Sequence, residues 1–188
     1  MTEPKQKPGR SKQDYGTPPE LLKAVKAKFG IDEFDCDLAA SKGNAVCPHY
    51  LSAVDDALSG LIWLRPRGEH IGVNWCNPPF SDIAPWVDMA RVSTYEYGVK
   101  TLMLIPAAVG SNWWRDHVHG QCDVYFLNPR ITFIGCKDPY PKDCALLFYH
   151  RDAGGGYDVW TWKPSRAVNA VAAPVDEPTP AQFAKEEF

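Results

Sequence analysis

The stretch Ile71-Gly72-Val73-Asn74-Trp75-Cys76-Asn77-Pro78-Pro79-Phe80 decides how the chain is read. Its first six residues read as a buried strand, and Asn-Pro-Pro-Phe reads as the turn leaving that strand's carboxyl end. Proline fixes φ, carries no N–H, and pushes the residue before it toward extended geometry. Asn77 and Pro78 are therefore both held extended, with outward carbonyls and no competing donor. The Asn77 side-chain oxygen and the Pro78 carbonyl form a pair of acceptors suited to the two hydrogens of a conjugated amino group. Phe80 adds a ring face on which a flipped-out base can stack. Taken alone, Asn-Pro-Pro is also ordinary strand-end punctuation, so the surrounding sequence decides.

Downstream, Ser81 or Asp82 is expected to cap a helix whose Ile83, Trp86, Val87 and Ala90 share one face. The continuous apolar run Thr101–Pro106 predicts a strand covered on both sides. Ser111 is expected to cap a short helix carrying Trp113, Trp114 and Val118, and strands are expected over Cys122–Leu127, Ile131–Ile134 and Cys144–Tyr149. Gly154-Gly155-Gly156 reads as a hairpin-type turn before a strand over Tyr157–Trp162. Upstream, Thr17 reads as an N-cap, Pro18 as the first helical residue and Glu20 as the partner in a capping box. Leu21, Leu22, Val25 and Phe29 then recur on one face until Gly30 stops the helix. Phe34–Leu38 alternates apolar and acidic residues, as a first strand running into a loop would. Strands and helices alternate first and strands crowd together later, which predicts a doubly wound α/β sheet finished by antiparallel strands. Ligands of such sheets bind outside the carboxyl ends of the strands, where Asp37 and Asn77 both fall.

The chain has 188 residues, 45% hydrophobic and 23% charged, which suits one α/β domain. We expect a flexible basic arm over residues 1–12, one domain over 13–163 and a disordered Ala/Pro-rich tail over 164–188. No apolar run reaches the roughly 20 residues that span a membrane, and the polar start is unlike a signal peptide, so a cytoplasmic protein without a membrane partner is expected. The six cysteines form no Cys-x-x-Cys pair, and Cys47-Pro48-His49 lacks the second pair a zinc site requires. No metal is expected.

The net charge of −3 is unevenly spread. Seven basic residues (Lys5, Lys7, Arg10, Lys12, Lys23, Lys26, Lys28) face three acids (Glu3, Asp14, Glu20) up to position 28, whereas six acids (Asp32, Glu33, Asp35, Asp37, Asp55, Asp56) face only Lys42 between 32 and 56. Acids near the first strands of a nucleotide-binding sheet commonly accept hydrogen bonds from ribose hydroxyls or a cofactor amine. Asp37 and Asp56 are the candidates, with Asp35 and Asp55 less favoured, and the plain alternative is that each caps a turn. Leu38-Ala39-Ala40-Ser41 stands where a glycine-rich loop is expected, so a cofactor would be approached over alanines such as Ala39. Tyr15-Gly16-Thr17-Pro18 opens a helix whose amino end could receive a carboxylate. Trp113, Arg115 and Arg130 are candidates for DNA contact, against the alternatives of core tryptophan and surface arginine.

Together, Asp14–Pro18 with Leu21-Leu22, Phe34–Ala40, Asp56-Ala57-Leu58 with Trp63, Asn77–Phe80, Ile105-Pro106-Ala107 and Arg130–Phe133 resemble the phage-type DNA adenine-N6 methyltransferases, the small Dam-like enzymes of phages and prophages. The resemblance runs from about Asp14 to Arg151. It implies a Rossmann-like fold, S-adenosylmethionine as methyl donor, double-stranded DNA adenine as acceptor and a bacterial host's cytoplasm as the setting. It assigns Asn77, Pro78, Pro79 and Phe80 to the catalytic motif, Tyr15, Thr17 and Pro18 to an N-terminal cofactor motif, and Asp37 to the cofactor loop. Tyr15 stands where the family often has tryptophan, and Ala57 where glycine is common. The basic arm and acidic stretch would suit a phosphate backbone and a cationic sulfonium respectively.

Two other functions fit the same residues. Asn-Pro-Pro-aromatic turns also serve enzymes that methylate RNA bases or protein glutamine. A catalytically silent DNA-binding module on the same scaffold would explain the missing glycine loop.

Overall fold

The structure is a computed structural model in which residues 15–59, 63 and 72–163 are described. The arm over 1–12, the tail over 164–188 and Arg65–His70, a stretch whose composition reads as a turn, lie outside them. So does the segment around Trp63, except for Trp63 itself.

The described chain forms α1 (Pro19–Phe29), β1 (Val73–Cys76), α2 (Ala84–Tyr97), β2 (Lys100–Pro106), α3 (Asn112–His117), β3 (Asp123–Asn128), β4 (Cys144–Tyr149) and β5 (Tyr157–Thr161). The five strands make one mixed sheet in the order β1-β2-β4-β3-β5. β1 and β2 pair in parallel, as do β3 and β5, while β4 pairs antiparallel with both β2 and β3. Four strands thus run one way, and only β4 runs against them. The carboxyl ends of β1, β2, β3 and β5 share one edge of the sheet.

Alternation along the central strands builds two cores. Leu102 and Leu104 of β2 and Leu146 of β4 meet Leu21 and Val25 of α1 on one face. Met103, Ile105 and Leu147 meet Val87 and Ala90 of α2 and Trp114 of α3 on the other. The fully apolar β2 run is what a strand covered on both faces needs, and its residues 101–106 are all buried. The result is a mixed α/β fold in three layers of helix, sheet and helix; of the antiparallel strands expected at the end of the sheet only β4 runs antiparallel, since β5 pairs in parallel with β3.

Several local expectations are corrected. The helix near the N-terminus begins at Pro19, because Pro18 is held extended (φ −61°, ψ 136°) and serves as the N-cap without a side-chain bond. Pro19 forces that geometry on its predecessor. Gly30 closes the helix in the left-handed region (φ 64°), as expected of a C-cap glycine. Neither Ser81 nor Asp82 caps α2; Ile83 occupies the N-cap position, with no side-chain bond. Ser111 does cap α3, its hydroxyl accepting from the Trp114 N–H.

Phe34–Leu38 is not a regular strand. It lies beside β1 through Asp35 N–H to Val73 O, Trp75 N–H to Cys36 O and Leu38 N–H to Trp75 O, with Asp37 the residue bridged. Tyr50 flanks Asp37 on its other side, again in parallel. Two strand-like segments therefore extend the β1 edge. Ile131–Ile134 also forms no strand; Ile131 and Phe133 instead pack as buried loop residues onto the α1 core. Gly154–Gly156 is not a hairpin, since β5 crosses over to pair with β3 rather than with β4.

Leu104 is fully buried and Lys100 is exposed on the same strand. Leu104→Ala is expected to lower the unfolding free energy by about 2–5 kcal/mol, and Lys100→Ala by under about 0.5 kcal/mol, in urea denaturation.

Candidate functional site

β1 ends at Cys76, so Asn77 is the first residue beyond the carboxyl edge of the sheet. Its amide nitrogen donates two hydrogen bonds, to the Tyr15 carbonyl at 2.6 Å and to the Thr17 hydroxyl at 3.2 Å. With Nδ2 fixed, the opposite atom Oδ1 becomes the outward acceptor, and no described residue donates to it. Thr17 is 5% exposed, so its hydroxyl is turned inward onto Asn77 instead of capping α1. Tyr15–Pro18 and Asn77–Phe80 thus form one unit.

A cavity of about 520 Å³ lies beside this unit, with Tyr15, Ala39, Asp56, Asn77, Pro79 and Trp86 among its lining. Leu38, Ala40, Leu51 and Ala57 add apolar surface, and Ser41, Asn44 and Ser52 add polar atoms. Its volume and its apolar walls with few polar groups are those of a small-molecule site. Leu38-Ala39-Ala40-Ser41, where glycines were expected, does form one wall.

Asp37 does not line the cavity and is 3% exposed. Its carboxylate accepts from the Ala39 N–H at 3.3 Å and the Val46 N–H at 3.1 Å. These bonds shape the loop that supplies the alanine wall. Burial pushes the Asp37 carboxyl up to about 6, against the opposing pull of the Val46 and Ala39 N–H groups. Asp56 is different: it is exposed, lines the cavity, and holds a left-handed φ of 45°. Aspartate tolerates that region at some cost, and such strain gathers at functional sites. No described residue bonds the Asp56 carboxylate. Asp55 is occupied instead, accepting from the Ser52 hydroxyl at 2.6 Å and the Ser52 N–H at 2.7 Å, and these bonds lower its carboxyl below the usual range.

The sequence matches the family described as DNA N-6-adenine-methyltransferase (Dam) over residues 5–162. The chain belongs to the Dam family. It is similar to a DNA N-6-adenine-methyltransferase of Escherichia phage T1, at 24% identity over 144 residues, covering 77% of this chain and 57% of that relative. The chain therefore spans a little over half of that relative's length.

Within this Dam-family chain, Phe80 belongs to a cluster with Tyr15, Phe133 and Tyr140, in which every pair of ring centroids lies 4.9–5.9 Å apart. Aromatic pairs at such separations add packing energy beyond their buried area. Phe80 and Tyr140 both remain half-buried. Tyr140, between Pro139 and Pro141, carries no periodic signal that marks it in the sequence. Trp86 also lines the cavity, although its spacing reads simply as core.

The three DNA-contact candidates lie off the cavity. Trp113 is half-buried beside Trp114, with centroids 5.7 Å apart. Trp114 itself is core and stacks on Phe126. Arg115 is exposed and forms a two-pronged pair with neighbouring Asp116 at 2.6 and 2.8 Å. Arg130 pairs with Asp143 at 2.8 Å. It borders a separate groove of about 410 Å³ with Val109, Phe126 and Val159. Among the described residues no helix is long and apolar enough to cross a membrane, and no group of three or more His, Cys, Asp or Glu is arranged to hold a metal ion.

The raised Asp37 carboxyl has a defined stability consequence. Between pH 3.8 and about 6 the unfolded chain releases this proton while the folded chain keeps it, so Asp37 lowers stability as pH rises through that window. The full effect is on the order of 3 kcal/mol. Asp37→Asn removes it, so the variant's stability relative to the parent is expected to improve by up to about that amount from pH 4 to pH 7. Denaturant melts at the two pH values measure this; a pH-independent difference would show that Asp37 is not held as described.

Proposed function

We propose that the protein methylates the N6 amino group of adenine in double-stranded DNA, with S-adenosylmethionine as donor, on a base turned out of the helix. The observation that carries this reading is Asn77. Its Nδ2 is tied back by two bonds, leaving Oδ1 as an acceptor to which no described residue donates, at the rim of a nucleoside-sized cavity. Membership of the Dam family supports the acceptor, and the sheet with its ligand edge at the carboxyl ends supports a Rossmann-like cofactor site.

The cavity fits the donor. Its volume accommodates a nucleoside with an amino-acid arm, and its apolar walls suit an adenine ring. Asp56 is the wall acid whose carboxylate no described residue bonds, suited to ribose hydroxyls. Ala39 presents backbone to the ligand, with Asp37 acting behind it to fix the loop. Tyr15 lines the cavity, whereas Thr17 and Pro18 lie outside its lining and support the wall from behind.

In this reading Oδ1 of Asn77 and the Pro78 carbonyl accept the two N6 hydrogens of the target adenine. Holding both hydrogens in those directions draws the nitrogen out of conjugation and aims its lone pair. Phe80 stacks on the extruded base. When bound, S-adenosylmethionine supplies a methyl carbon on a sulfonium: the N6 lone pair forms the N–C bond as the C–S bond breaks and sulfur keeps the electron pair. The positive charge on N6 is relieved when one of its protons passes to water. Trp113, Arg115 and Arg130 contact the duplex around the target. The unit doing this work is the domain over residues 13–163, acting on DNA in a host cytoplasm.

Transfer of labelled methyl to duplex DNA, with N6-methyladenine read after digestion, tests the proposal. Asn77→Ala is expected to lower kcat by about 100-fold or more. Asp56→Ala is expected to raise the KM for S-adenosylmethionine about tenfold, with kcat changed little. Folded protein that labels RNA or protein but leaves duplex adenine unmodified would move the activity to another acceptor.

A further inference from the structure

We infer that Thr17 is a positioning residue whose hydroxyl holds the Asn77 amide in the flip state that the Tyr15 carbonyl selects, and that it does not act as a cofactor ligand. The inference rests on the role of Asn77 given above. An asparagine amide has a donor end and an acceptor end of nearly equal shape, and a half-turn about its last torsion exchanges them. With Oδ1 outward the turn offers an acceptor to an amino group; with Nδ2 outward it offers two hydrogens to two hydrogens. The protein must exclude that second state.

One obligate acceptor does so, and a hydroxyl beside it adds a second anchor. The Tyr15 carbonyl takes one Nδ2 hydrogen at 2.6 Å and the Thr17 hydroxyl takes the other at 3.2 Å. A carbonyl oxygen can only accept, so a reversed amide would set its own oxygen against it. The Thr17 hydroxyl, which can bond either end of an amide, anchors the second hydrogen once the Tyr15 carbonyl has set the flip, and at 5% exposure it is shielded from water that would compete.

The segment carrying both acceptors is itself braced. The Tyr15 ring packs on Phe80 and Phe133 at 5.9 and 4.9 Å, and the Gly16 carbonyl accepts from the Ile134 N–H at 3.0 Å. A Cβ at Gly16 would stand 3.2 Å from the Ile134 side chain, so this crossing leaves little room for a larger residue. Tyr15 also lines the cavity. One short segment therefore forms cavity wall on one side and sets the catalytic amide on the other.

The experiment combines kinetics with the side-chain amide resonances of Asn77 in 15N-labelled full-length protein. Thr17→Val keeps shape and removes the acceptor. It is expected to move one Asn77 Nδ2 proton resonance, to leave the Tyr15-bonded one in place, and to lower kcat about tenfold with the KM for S-adenosylmethionine within about twofold. Thr17→Ser restores both readouts. Thr17→Ala carries the same expectations should valine disturb folding, which circular dichroism monitors. Unmoved Asn77 resonances overturn the inference, and so does a raised KM at unchanged kcat, which would make Thr17 a cofactor contact. If the parent protein methylates no DNA, the proposed function fails, while the resonances still decide whether Thr17 orients Asn77.

Discussion

The two hydrogen bonds from the Asn77 amide to Tyr15 and Thr17 join residues some 60 positions apart in sequence, and the site depends on that join. A strand end alone would leave Asn77 free to rotate. A helix start alone would be an ordinary cap. Brought together, they give a strand-end turn with a defined acceptor face and a cavity wall that shares its backbone. The buried sheet beneath supplies the rigidity: β1 is fully buried and pairs with a β2 packed on both faces, so its carboxyl end is a fixed platform.

A buried carboxylate performs a second structural task. Asp37 ties Ala39 and Val46 to the β1 edge, giving the cavity a shaped wall without glycine. Glycine-rich loops bring backbone close to a ligand because they lack side chains. Here small alanines on a loop held by two charge-assisted bonds take that place. The cost is a desolvated acid whose ionisation is suppressed until pH rises past about 6.

Much of this was legible in the sequence because its signals are local or periodic. The apolar run at Leu102–Ile105, the helical spacing of Val87 and Ala90, the Gly30 stop and the Asn-Pro-Pro turn each follow from residue chemistry over a few positions. What was not legible depends on distant partners. Thr17 has the sequence of an N-cap, yet Pro19 shifts the cap to Pro18 and Asn77 takes the hydroxyl. Ile131–Ile134 has strand composition, but its apolar side chains are used to cover α1 and the aromatic cluster. Asp37 and Asp56 look alike in sequence, and only burial separates the loop-forming acid from the exposed one beside the cavity. Trp113, Arg115 and Arg130 remain positions whose role rests on the proposed duplex.

The central claim is that the cavity beside Asn77 holds the methyl donor within reach of the turn. A crystal structure of the protein with S-adenosylhomocysteine, the product of that donor, tests it most directly. The account predicts the ligand in the cavity, its ribose hydroxyls on Asp56, its adenine against the apolar wall near Trp86, and its sulfur facing the Asn77 turn. A ligand bound elsewhere, or a vacant cavity at saturating concentration, would contradict it.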